Sequence, residues 1–408
     1  MKKSGIDWIG EIPDDWKVEK SKHVFRQRFD KGNEITLQLL SPTQKFGVIP
    51  QTLYEELTTY SAVKLKEGTD LSTFKTVHKG DFCISLRSFQ GGFEYSRYEG
   101  VVSPAYQIFY AIKEIDDEYY KYLFKDQTFI SKINSYTMSL RDGKNIAFSD
   151  FGDTFIPLPP KDTQQRIAEY LDKKVSEIDS IIEESKKSIE EYKAWKQSVI
   201  FEAVTGKNLN CKKKDSGIEW IGEIPEGWST IKFKYLHSGS NVGESIDKEL
   251  CNDNENDTVF YTAGLNPIHT IYKQFPVWKY TKQNDLLLAR NGTPYVYNPL
   301  TNAVYSDHII RVTIKEDYSK KYVQYAIQQS IFNIVVDTVS ITTWSASLWN
   351  NQFIPLPPRN IQEKIVEIIE NKLNKINSLV LEKESLIADL TEYKKSLIFE
   401  VVTGKRSV

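Results

Sequence analysis

The sequence predicts an α+β protein with an internal pseudo-twofold repeat, in which two globular domains are separated by an antiparallel coiled coil of two long helices. Three observations carry this expectation. Two blocks of sequence are written twice, two long stretches keep an apolar heptad seam without Pro or Gly, and the segments between them alternate short β-like runs with turn residues. The 408 residues, 40% hydrophobic and 26% charged, are enough for two or three cores and exclude a disordered chain.

The repeat comes first along the chain. Ser4-Gly-Ile-Asp-Trp-Ile-Gly-Glu-Ile-Pro-Asp-Asp-Trp16 returns as Ser216-Gly-Ile-Glu-Trp-Ile-Gly-Glu-Ile-Pro-Glu-Gly-Trp228, with 10 of 13 positions identical at an offset of 212. Phe155-Ile-Pro-Leu-Pro-Pro160 returns as Phe353-Ile-Pro-Leu-Pro-Pro358 at an offset of 198, and the match then runs without a gap to Gly206-Lys207 against Gly404-Lys405. The second copy is therefore 14 residues shorter in its middle. Ends alike and middles unlike describe two equal scaffolds that hold two different readers.

Each copy closes on a helix. Ile167, Leu171, Val175, Ile178 and Ile182 follow one another at steps of three or four, as do Ile365, Ile369, Leu373, Ile376 and Val380. Ser185 and Lys196, and then Lys383 and Lys394, fill gaps in the two seams. Pro159-Pro160 and Pro357-Pro358 precede the helices, Asp162 and Asn360 stand as N-cap candidates, and Gly206 and Gly404 sit where a C-terminal glycine belongs. Helices of about 43 residues span roughly 65 Å at the α-helical rise. A compact domain returns its ends near each other, so the second helix should start near the finish of the first and run back antiparallel. Contacts to unrelated surfaces or to a second chain remain the alternative. By the same symmetry, residues 4–16 should lie near the end of the second helix, with the chain termini as neighbours. The division is 1–160, 161–207, 208–358 and 359–408: domain, helix, domain, helix.

The two middles read as mixed α+β. Gly47-Val-Ile-Pro50, residues 81–86, 100–104 and 106–110, then 285–289 and 308–314, are short strands, with helical stretches near 117–134 and 317–334. Their charge is balanced, 19 basic to 18 acidic over 17–160 and 11 to 11 over 229–358. With a net charge of −2, binding of a polyanion by bulk charge is excluded, though not a local basic face. The loops hold the candidate binding residues: Arg87, Ser88, Gln90 and Arg97 around glycines, Arg141 and Lys144, and Arg290, Asn291, Thr293 and Tyr295 at the corresponding place in the second copy. Arg suits guanine O6 and N7, Asn or Gln suits adenine N6 and N7, and glycine lets backbone approach a duplex. Ordinary solvated hairpin turns would look the same without the repeat around them.

Catalytic signatures are missing. Gly206-Lys207 and Gly404-Lys405 lack the rest of a phosphate-binding loop. No Asn/Asp-Pro-Pro-aromatic stretch marks an adenine methyltransferase site. Asp14, Asp15 and Lys17 are too compressed for a nuclease set, and their copy lacks the lysine. His23, His78, His237, His269 and His308 have no metal-ligand spacing. Cys83, Cys211 and Cys251, odd in number and far apart, fit a reducing compartment, and no secretory or membrane-spanning pattern appears. The expectation is a cytoplasmic protein without chemistry of its own.

The doubled Gly-Ile-(Asp/Glu)-Trp-Ile-Gly-Glu-Ile-Pro motif, the doubled Ile-Pro-Leu-Pro-Pro followed by Gln164 and Gln362, and the terminal Val-Thr-Gly-Lys resemble the specificity subunit of bacterial type I restriction-modification systems. The stretch 40–50, with Lys45, and the stretch 100–106 also look like target recognition domains of that family, whereas Val304-Tyr-Ser-Asp-His308 departs from them. The resemblance implies that each globular domain reads one half of an asymmetric bipartite site in double-stranded DNA. It implies that the helices set the half-site spacing and dock two methyltransferase subunits, and that ATP-dependent translocase-nuclease subunits join for restriction. The subunit itself would hold no cofactor: ATP, Mg²⁺ and S-adenosylmethionine would belong to its partners. Two rivals stay open at this stage, a polypeptide with built-in nuclease or methyltransferase activity and a stand-alone transcriptional regulator.

Overall fold

The computed structural model describes residues 1–31, 38–58, 60, 71–84, 93–137, 146–332 and 343–408. They form two compact units, Met1–Lys186 with Glu384–Val408, and Lys187–Lys383. Compactness therefore groups each globular domain with a stretch of both long helices rather than setting the helices apart.

The first unit is built on an antiparallel sheet in the order Phe25–Arg28, Gln107–Ala111, Phe82–Ile84, Phe93–Tyr95. Its inner face is aromatic. Phe25, Phe82, Phe93, Phe109, Phe124, Phe129 and Phe151 are all buried and meet ring to ring, and such pairs add to what burial alone contributes. The expected helix near 117–134 is two helices, Asp117–Leu123 and Gln127–Thr137. The break follows from Asp126, whose carboxylate accepts the backbone N–H groups of Thr128 and Phe129 and so caps a new start.

The second unit repeats the sheet in the same spatial order: His237–Val242, Ile309–Ile314, Asp285–Ala289, Val296–Tyr297. Here the core is aliphatic with two tryptophans, Leu286, Leu288, Val312, Ile327, Trp344 and Trp349 among them. A further four-stranded sheet, Cys251–Asn252, Ile268–Thr270, Thr258–Tyr261, Val304–Tyr305, has no four-stranded counterpart among the described residues of the first unit. Instead, that unit carries two hairpin-sized pairs, Leu40–Thr43 with Gly47–Pro50 and Lys75–Val77 with Gly100–Val102. The helix expected near 317–334 is described as Lys320–Phe332.

The long helices are Lys161–Thr205 and Arg359–Val402, 45 and 44 residues. Asp162 and Asn360 are the second residues of these helices, not their caps, because helical hydrogen bonding already begins at the proline carbonyls: Gln164 N–H donates to Pro160 O and Gln362 N–H to Pro358 O. The side chains of the same glutamines lock both starts. Gln164 Nε2 donates to Pro159 O at 2.8 Å and its Oε1 accepts Asp116 N–H at 2.8 Å. Gln362 does the same with Pro357 O and Ser319 N–H at 2.9 Å each. Both are buried, so each amide is placed with its donors and acceptors used.

The C-termini also match. Gly206 and Gly404 have φ of 69° and 71°. In each, the glycine N–H bonds three residues back and the following lysine N–H five back, a Schellman ending that needs the left-handed glycine. In both units the helix end seats on the repeated motif. A Cβ on Gly206 would lie 2.8 Å from Pro225, and one on Gly404 would lie 2.4 Å from Pro13. Lys405 Nζ donates to Ile9 O and Glu11 O, which places 4–16 at the end of the second helix as expected, with both chain termini inside the first unit.

Within the first unit the helical segments pair antiparallel. Lys394 Nζ meets Asp179 at 2.6 Å, whereas Arg166, earlier in its helix, reaches the carbonyl of Val408, later in the chain. Ile178 and Ile182 join Leu397 and Val401 in one apolar cluster. Tyr119 Oη donates to Val402 O at 2.7 Å, and its counterpart Tyr322 Oη reaches Val204 O at 3.2 Å in the second unit. No helix among the described residues is long and apolar enough to cross a membrane.

Candidate nucleic-acid interface

Four of the residues singled out from sequence lie on one loop of the second unit, which leaves the central strand Asp285–Ala289 and enters Val296–Tyr297. The loop is held from beneath at nearly every residue. Trp344 N–H donates to Arg290 O at 2.6 Å, and Trp344 Nε1 donates to Gly292 O at 3.0 Å. Gln328 Nε2 donates to Pro294 O and its Oε1 accepts Val296 N–H, both at 2.7 Å. Trp349 Nε1 closes the strand end on Ala289 O at 3.1 Å. With its backbone satisfied by side chains of a buried layer, the loop is pre-ordered, which lowers the cost of using it in recognition.

The side chains differ in what they offer. Arg290 is half-buried and its guanidinium donates to Asp307 O at 2.9 Å, so it braces the neighbouring 305–308 turn. Asn291 Nδ2 lies 2.7 Å from His308 Nδ1. Thr293 is exposed, and Tyr295 is half-buried with its ring 6.2 Å from that of Tyr297. Asp307 and His308 also border a cavity of about 580 Å³ with Asn252, Thr262 and Lys248. Sequence reasoning missed Asp307 and His308 as partners of this loop. The 17-residue separation is bridged only by pairing of the two adjacent strands.

The first unit presents a different picture. Arg87, Ser88, Gln90, Arg141 and Lys144 lie outside the described residues. Lys45 stands exposed on the turn between Leu40–Thr43 and Gly47–Pro50, its ammonium 5.1 Å from the Phe46 ring. Arg97 is exposed but already paired. Its Nε and Nη2 make a fork on the two Glu118 oxygens at 2.8 Å each, an arrangement that raises its pKa. Lys121 joins that pair and Asp172 of the long helix, at 2.7 Å each. Lys45 and Arg97 thus share the rim of a cavity of about 520 Å³ between the domain and helical residues such as Val175 and Lys394. Its cations are matched by carboxylates: burial pushes Glu94 up to about 7 even though Lys125 Nζ lies within 2.7 Å of both its oxygens.

The fold thus defines a class of protein: a duplicated α+β scaffold with equivalent sheets and unlike cores in its two units. Comparison with known proteins narrows this class. Residues 13–191 match the family described as type I restriction modification DNA specificity domain. The EcoBI type I restriction enzyme specificity subunit of Escherichia coli is 22% identical over 71% of this chain, and the chain spans 66% of that relative, just under two thirds. The MjaVIII specificity subunit of Methanocaldococcus jannaschii is 23% identical over 97% of this chain and 93% of its own length. A chain solved in work on complex assembly and conformational transition of the type I restriction-modification system has the same fold, with a TM-score of 0.74, 15% identity, and coverage of 97% of this chain and 100% of its own. The HsdS subunit of Thermoanaerobacter tengcongensis gives 0.57 at 16% identity over all of both chains. Over most of its length the chain is thus similar to specificity subunits of type I restriction-modification systems, and residues 13–191 match the DNA specificity domain of that family.

Proposed function

We propose that the chain selects a bipartite sequence in double-stranded DNA for a type I complex, each globular domain reading one half. The helices set the spacer length and dock two methyltransferase subunits, with ATP-dependent restriction subunits as further partners. The chain contributes no catalytic step, and ATP, Mg²⁺ and S-adenosylmethionine act on the partner subunits. One observation carries the reading: the same strand in the same sheet position is followed by unlike sequence in the two copies, residues 85–92 (outside the described residues) and 290–295, while the glutamine and tyrosine joints to the long helices are repeated. Such a division separates what must be constant from what must vary. Phosphate contact positions a protein without specifying sequence, so balanced charge in the readers fits partners that supply much of that contact.

The test is a replacement of residues 17–155 by the corresponding segment of another specificity subunit, followed by base-resolution mapping of methyladenine in cells that carry the partner subunits. One half of the methylated motif should change and the other half and the spacer should persist. A motif that changes in both halves, or in neither, refutes the assignment.

A further inference from the structure

We propose that His308 is a positioning residue that fixes the side-chain amide of Asn291 for adenine recognition in the half-site read by the second unit. The inference rests on the reading given above and goes beyond it to a pair of residues. Asn291 Nδ2 and His308 Nδ1 are 2.7 Å apart, and this is the hydrogen bond that the Asn291 side chain makes among the described residues. An amide nitrogen has only donors, so in this arrangement Nδ1 accepts and the ring N–H lies on Nε2. Asp307 Oδ1, 4.0 Å from Nε2, favours the proton on that side. The amide orientation is thereby chosen. Asn291 keeps its Oδ1 and its second Nδ2–H for a partner, the acceptor–donor pair that adenine N6 and N7 require in the major groove.

The rest of the setting supports a reading role. The Asn291 backbone bridges Thr343, and its neighbours Arg290 and Gly292 are tied to Trp344, so the amide projects from a fixed base. Arg290 holds the Asp307 carbonyl at 2.9 Å and so fixes the turn that delivers His308. Both side chains remain reachable: His308 is 53% exposed. The charged groups around the imidazole are Asp307 and Arg290 from the two adjoining loops, with Lys248 and Asp253 across the bordering cavity.

The experiment uses the full chain assembled with its methyltransferase subunits. Methylation of a cognate duplex is compared with that of duplexes carrying single base changes across the half-site read by the second unit. H308F removes the acceptor and should reduce discrimination at one A·T pair roughly tenfold, the scale of one lost bidentate contact. N291A should cause the same loss, and the double variant no further loss. H308N, whose amide oxygen can stand where Nδ1 stands, should restore discrimination. Because both side chains are surface-accessible, unchanged assembly and melting of H308F separate positioning from folding. If N291A shifts the motif and H308F does not, the positioning role is overturned while half-site reading stands. If neither does although a swap of 229–353 changes the motif, the pair is not a reader. If that swap also leaves the motif intact, the underlying function falls with it.

Discussion

The two units solve one structural problem with different interiors. Both place four strands in the same order, both start a central strand with an aspartate that binds the N–H three residues before it, and both hand that aspartate to an arginine. Yet Asp81 takes its arginine from the edge strand as Arg28, and Asp285 takes Arg311 from the adjacent central strand. The first core is packed with phenylalanine rings, the second with branched aliphatics and Trp344 and Trp349. Identity at the joints to the helices and freedom inside the domains show where constraint falls. The Gln164 and Gln362 locks, the Tyr119 and Tyr322 bonds and the two Schellman glycines are shared because they face the shared helices. The interior of each domain needs only to support its own loop.

The comparison can be broken most forcefully at Trp344. Truncation to alanine empties a fully buried site and removes the indole tether to Gly292 O, leaving the backbone bond to Arg290 O, so the second unit should lose about 3–5 kcal/mol. Chemical denaturation should then show the second unit unfolding first, with the first unit unaffected; loss in both together would mean that the units do not behave as separate structures.

A smaller effect sharpens the contrast by pH. Folding holds the Glu94 carboxyl up to about 7 against an ordinary 4.5, because burial outweighs Lys125. The folded chain thus keeps a proton that the unfolded chain has released. The associated stability is complete below the ordinary value and is lost as pH rises through about 7, by up to about 3 kcal/mol. Asp117, raised to about 6 by burial and by Asp116, adds in the same direction. The corresponding strand of the second unit, Val296–Tyr297, carries no acid. Melting of Glu94→Gln at acidic and alkaline pH should show a shallower decline than the parent, and an unchanged slope would locate the titration elsewhere.

The finest comparison is between the two helix ends. Gly404→Ala and Gly206→Ala both force an L-residue into the left-handed region, and both press a methyl on a proline. The closer approach at Pro13 makes Gly404→Ala the worse, about 2 kcal/mol against about 1 for Gly206→Ala. Equal melting shifts would mean that the motif yields at both ends.

How much of this was legible in the sequence follows from the range of the interactions. The helices announce themselves through the 3.5-residue seam and terminal glycines, which are local signals. The seating of Trp16 and Trp228 at the helix ends could be foreseen because the repeat itself says which parts belong together. Asp162 and Asn360 misled because capping residues were sought after the prolines, while Gln164 and Gln362 fasten the ends from inside the helix. For the candidate interface, the Arg290–Tyr295 loop was found by composition, but not what each side chain faces. Arg97 carried the same signal as Arg290, and only the position of Glu118, brought alongside by the fold, showed its guanidinium to be occupied. A loop residue's neighbours come from distant sequence, so composition names candidates without assigning their work.

The first unit is discontinuous, closed only by Glu384–Val408, whereas the second runs unbroken from Lys187 to Lys383. On the ribosome the order of completion is therefore inverted. The domain synthesised first waits for residues 384–408 before Trp16 finds its glycine, while the later domain can finish ahead of it. A nascent chain stalled before residue 384 would leave the apolar seam of Ile178 and Ile182 without Leu397 and Val401 to cover it.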